Sequence, residues 1–105
     1  MAKFLIQASY TVEGLRVLQR DKASGRRQVV ESAWQSLGGR LEAFYFSLGE
    51  YDAVAIVDVP DHVTATAMAV AVSTTGLVRT RTTPLLTVEE TDKALEKGAN
   101  LQIRK

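Results

Sequence analysis

Two side chains stand out as candidates for handling protons: Asp52 and His62, the only histidine of the chain. Asp52 closes the run Gly49-Glu50-Tyr51-Asp52. A carboxylate there is either an acceptor or general base in a pocket at the end of a sheet, or a group that hydrogen-bonds the turn backbone, as Asp does in many turns. Gly49 suits a turn position with positive φ, and Tyr51 is either a ligand contact or a part-buried anchor. Glu50 lies two residues from Asp52, but without a sugar- or metal-binding context the pair reads as a solvated loop tip. His62 follows Asp61 at the start of a predicted helix. Its imidazole is a general base or an axial haem ligand only if a pocket faces it; otherwise it is a surface residue at a helix start. Asp58 and Asp61 are the only acids close to it in sequence, too few for the usual metal site.

Anion recognition has its own candidates. Arg79 and Arg81 lie two apart, on one face of a predicted strand, and their planar forks suit a carboxylate or phosphate. Charge on an edge strand also prevents edge-to-edge pairing, so both readings stand. Arg26-Arg27 falls in a break between helical segments and reads as solvated surface. Among the aromatics, Trp34 belongs to an apolar helix stripe and Tyr10 ends the first strand, where it can line a cleft between helices and sheet. Ser-His-Asp order, a phosphate loop, the dinucleotide-binding glycines and zinc-ligand spacing are all missing.

The elements that must position these residues follow from composition and pattern. A length of 105 residues, 46% hydrophobic and 24% charged, describes one domain, 1–105, with a single core. A net charge of +1 provides no field to draw nucleic acid or an acidic membrane. The absence of cysteine removes disulfides, thiolate metal sites and a Cys nucleophile, and fits a reducing compartment. Phe4-Leu5-Ile6 is too short for the core of a signal peptide, and no segment reaches the roughly 18 to 20 apolar residues of a membrane span. The expectation is a cytoplasmic protein with no cofactor, no metal, and neither nucleic acid nor membrane as partner.

Lys3 to Ser9 reads as a buried strand. Thr11 caps a short helix through Leu18, Asp21 to Gly25 breaks the pattern, and a second helical piece runs to Leu37 with Val30, Ala33, Trp34 and Leu37 on one stripe. Gly38-Gly39 ends it. Two apolar runs, Leu41 to Leu48 and Ala53 to Val59, then flank the turn and form a hairpin. With the loop centred on Glu50 and Tyr51, Leu48 opposes Ala53, Phe46 opposes Ala55 and Phe44 opposes Val57, all on one face. Leu41, Ala43, Tyr45, Val54 and Ile56 take the other. Asp61 caps a helix from His62 to Thr75, closed by Gly76. Leu77 to Thr83 is the fourth strand, and Thr87 with Glu90 forms a capping box for a last helix ending near Gly98. This order predicts an α+β, ferredoxin-like β-α-β-β-α-β antiparallel sheet with helices on one face and a C-terminal helix.

Such a sheet leaves one face uncovered, and both faces of the hairpin carry large apolar side chains. Leaving four of them wet forgoes on the order of 6 to 12 kcal/mol, the scale of a whole domain's stability. A second copy packed sheet to sheet would cover them as a dimeric α/β barrel. The alternative is that the terminal helix folds across its own sheet, although Glu89 to Lys97 offers only Ala94 and Leu95 as apolar anchors.

With these residues in view, the chain resembles the GYD domain family of small bacterial and archaeal proteins. The resemblance rests on Phe44-Tyr45-Phe46-Ser47-Leu48-Gly49-Glu50-Tyr51-Asp52, supported by Tyr10-Thr11, Leu37-Gly38-Gly39 and Gly76-Leu77-Val78-Arg79-Thr80, and covers about residues 3 to 90. It implies a ferredoxin-like fold of the dimeric α/β-barrel type and supplies no catalytic role. The leading expectation is a homo-oligomeric small-molecule binding or accessory protein, its pocket between sheet and helices and lined by Tyr10, Trp34, Tyr51 and Arg79. The rivals are a cofactor-independent enzyme of monooxygenase or isomerase type, using Asp52 or His62, and a structural assembly subunit.

Overall fold

Alternation of apolar residues along four short segments produces four strands, and a computed structural model, which describes residues 1–47 and 49–103, shows how they join. The order is β1 (Ala2–Tyr10), α1 (Val12–Ser36), β2 (Arg40–Phe46), β3 (Ala53–Val59), α2 (His62–Ser73), β4 (Val78–Leu85) and α3 (Val88–Gly98). The four strands form one sheet in the order β2-β3-β1-β4, and every neighbouring pair is antiparallel. This is the expected α+β, ferredoxin-like pattern, with β2 and β4 at the edges. Pro84, which has no N–H to give, sits in edge strand β4.

Register aligns the side chains in rows. On the helix-covered face, Phe44, Ala55, Ile6 and Thr82 form one row and Phe46, Ala53, Ala8 and Thr80 the next. On the open face, Ala43, Ile56, Leu5 and Thr83 form the middle row, with Tyr45, Val54, Gln7 and Arg81 on one side. The core is Phe4, Trp34, Leu41, Ala55, Val57, Val59, Ala65 and Met68.

The hairpin corrects two expectations. Phe46 opposes Ala53 and Phe44 opposes Ala55, so the pairing sits two residues from the expected register. Closure comes from the Ser47 amide, which donates to the Asp52 carbonyl at 2.9 Å, and from the Ser47 hydroxyl on the Tyr51 carbonyl at 2.6 Å. The expected partner Leu48 lies outside the described residues. A shift of two preserves faces, but a bulge between Leu41 and Ala43 does not. It turns Leu41 opposite Val57 and into the core, where it is 7% exposed, instead of onto the open face with Ala43.

Helix α1 is longer than expected. The predicted break from Asp21 to Gly25 shrinks to one residue, Lys22, with φ 66° and ψ 166°, and helix continues on both sides. Thr11 caps it: its side chain accepts from the Gly14 amide at 3.1 Å and donates to the Gly76 carbonyl at 2.7 Å, tying α1 to the turn before β4. Gly14 then packs so closely on that turn that a Cβ there would collide with the Leu77 carbonyl. Gly38 takes the left-handed conformation (φ 77°) that ends α1, as expected from the glycine pair. Asp61 caps α2 through the Thr64 amide at 2.8 Å. The Thr87–Glu90 capping box is present at the start of α3.

Helix α3 does not roof the sheet. None of its residues is buried, and it makes no extensive packing with any described strand or helix. Val88, Leu95, Leu101 and Ile103 are all exposed. The radius of gyration is accordingly large at 16.5 Å, and the longest dimension is 55 Å; a compact chain of this length would give about 13 Å. Among the described residues, no helix is long and apolar enough to cross a membrane.

Candidate functional site

Small side chains at the centre of the helix-covered face leave a cavity. Ala8, Ala53 and Ala55 on the sheet face Ala33 on α1, while the larger Ile6, Phe44, Met68 and Val72 form its walls. The space measures about 160 Å³. That is close to the size of a cavity that admits a benzene ring. The lining is apolar apart from Tyr10, Arg26, Thr75, Thr80 and the indole of Trp34. An apolar hollow with a few converging polar groups is the usual form of a small-molecule site. It lies within a single chain, so its walls do not require a second copy.

Tyr10 enters from the last position of β1. Its phenol is pushed above the ordinary tyrosine range by burial, while the cation of Arg26 beside it pulls the other way. The hydroxyl therefore remains protonated, a donor for a bound group. Trp34, 3% exposed, contributes part of the wall and belongs equally to the core. Arg26 reaches the cavity from α1 just beyond the Lys22 kink and meets Asp21 at 3.6 Å. The sequence signals nothing of this: Arg26 reads as surface, and the irregular turn at Lys22 redirects it.

Of the four expected ligand residues, the cavity brings together Tyr10 and Trp34. Tyr51 and Arg79 lie elsewhere. Arg79 pairs in register with Ser9 and so points to the open face, whereas its neighbour Thr80 points into the cavity. Tyr51 lies beside Arg81 and holds its guanidinium above the ordinary arginine range. Gly49 is exposed in the loop, with open space around its Cα.

The two proton-handling candidates also stand outside the cavity wall. The Asp52 carboxylate accepts from the Tyr10 backbone amide at 2.8 Å, and the Asp52 amide donates to the Ala8 carbonyl at 2.8 Å. This is turn and sheet chemistry, joining the loop to the end of β1. His62 is exposed at the first turn of α2, and its ring meets Phe4 edge-on at 5.2 Å. It shares a shallow surface depression with Val63, Thr66, Ala67, Val70 and Ala71, none of them an acid that could orient it. Among the described residues, no three His, Asp, Glu or Cys side chains gather where they could hold a metal ion.

On the open face, an ion-pair network occupies the end of the sheet opposite Arg79 and Arg81. Lys3 donates to Asp58 at 2.8 Å and also contacts Glu42, and Arg40 reaches Asp58 at 3.1 Å. The hydrogen bond from Lys3, the largest effect, together with that from Arg40 overcomes desolvation and holds the Asp58 carboxyl below the usual aspartate range.

A family model described as the GYD domain matches residues 4–95. No curated protein and no solved structure matches the chain.

Proposed function

The chain belongs to the GYD domain family, and we propose that the protein is a homo-oligomer that binds a small molecule between its sheet and helices α1 and α2. The observation that carries this reading is the cavity of about 160 Å³, walled by alanines, Ile6, Phe44 and Met68 and edged by Tyr10 and Arg26. The recess opens partly to solvent at Val29, so a small ligand has a way in. A natural chain that keeps such a recess beside two polar groups has the form of a receptor.

Support for self-association comes from the opposite face. Ala43, Ile56, Leu5 and Thr83 form a row with Val54 and Tyr45 beside it, and α3 leaves it uncovered. A second copy meets that face with an identical row, which suits two-fold symmetry.

Thermal-shift screening against small apolar metabolites tests the binding reading, with Ala33→Leu as the cavity-filling control. Compounds that raise the melting temperature of the native protein and lose that effect in the variant are expected. A screen in which no compound stabilises the native protein, or in which the variant responds equally, contradicts the site.

A further inference from the structure

We propose that the cavity selects a compact apolar carboxylate, the ring or branched body filling the hollow and the anion paired with Arg26. The inference rests on the cavity being a binding site and names the class of ligand it takes. Among the described residues, Arg26 is the only charged side chain in the wall. Its side chain is 20% exposed, largely shielded from water but still reachable.

Arg26 also has donors to spare. Its ion pair with Asp21, at 3.6 Å, is longer than a hydrogen bond. The same carboxylate is engaged more closely by Arg20, at 2.9 Å. A guanidinium carries five N–H groups in a planar fork, and a carboxylate can take two of them side by side. Tyr10 contributes a further hydroxyl from the same wall.

The backbone provides an independent sign. Lys22, four residues before Arg26, is the only non-glycine residue with positive φ among those described. Such conformations are strained and persist where the surroundings enforce them, often beside binding sites. Here the irregular turn separates the two halves of α1 and brings Arg26 over the hollow while Asp21 stays at its side.

Size and charge narrow the ligand. A hollow near benzene size accepts a single ring or a short branched chain. One arginine balances one negative charge, and a dianion such as a phosphate monoester would leave charge uncompensated against an apolar wall.

The test is calorimetric titration of the full chain with benzoate and with benzamide, its neutral isostere. Benzoate is expected to bind at least about tenfold more tightly, the difference of one charge-assisted contact. Arg26→Gln is expected to erase that preference, so that benzoate binds the variant no more tightly than benzamide does, and Arg26→Lys, which keeps the cation without the fork, retains part of it. Equal affinity of the native protein for both probes, or an undiminished benzoate preference in Arg26→Gln, overturns the carboxylate assignment while leaving the cavity as a site. Binding of neither probe overturns both. The native comparison needs no variant to fold.

Discussion

The carboxylate of Asp52 accepts a hydrogen bond from the backbone amide of Tyr10 at 2.8 Å, across 42 positions of sequence. The contact fixes the hairpin loop to the end of β1, the point from which the Tyr10 ring enters the cavity wall. The aspartate of the Gly-Glu-Tyr-Asp turn thus acts on the site through backbone placement.

Asp52→Ala leaves a part-buried amide without its partner. It is expected to cost about 1.5 to 3 kcal/mol, the range for a hydrogen bond to a charged group. Asp52→Asn, which retains an acceptor oxygen, should cost less. Urea unfolding of both variants measures this, and an undisturbed midpoint in Asp52→Ala would deny the clamp.

Gly14→Ala is expected to destabilise the fold despite the better helix propensity of alanine. The added methyl meets the Leu77 carbonyl, a rigid backbone atom, and Tyr10 lies close by. Forcing the two segments apart costs about 1 to 3 kcal/mol or more. Thermal melting should show the loss.

The Lys3–Asp58 pair gives stability a defined pH window. Folding lowers the Asp58 pKa from its ordinary 3.8, so this contribution is complete above that value and is lost as pH falls through the lower folded value. Lys3 is shifted the other way, by its hydrogen bonds to Asp58 and then Glu42. Its contribution is complete below the ordinary 10.5 and is lost as pH rises through the higher folded value. Asp58→Asn should flatten the acid limb of a stability–pH profile. Because the pair is partly exposed, added salt should narrow the difference between native protein and variant.

Much of this architecture is legible from residue order. Thr11, Asp61 and the Thr87–Glu90 box announce three helix starts through side chains whose chemistry is local, and Gly38 announces an end. The hairpin register is not legible in the same way. Alternation in Leu41 to Phe46 assigns Leu41 to the face of Ala43, and only the bulge, a tertiary accommodation, returns it to the core. The site is split similarly. Tyr10 and Trp34 are visible as aromatics at a strand end and on an apolar stripe. Arg26 is invisible because its direction depends on the φ of Lys22. Arg79 is misplaced because a position one residue along a strand changes face, so Thr80 lines the cavity in its stead.

Ile56→Lys places a charge in the middle of the open face, opposite Leu5. If a second copy covers that face, the variant should be monomeric by light scattering at concentrations where the native protein is dimeric or larger, with its circular dichroism unchanged. A native protein that stays monomeric at high concentration would remove the oligomer from the proposal and leave the cavity, which one protomer builds alone.

The most direct measurement is a two-dimensional methyl NMR titration with benzoate. The expected result is saturable shifts at Ile6, Ala33, Met68 and Val72 around the cavity, with Leu5 and Ile56 on the open face unmoved. Shifts confined to the open face or to α3, or none at all at saturating ligand, would contradict the assignment of the space beneath α1 and α2 as the binding site.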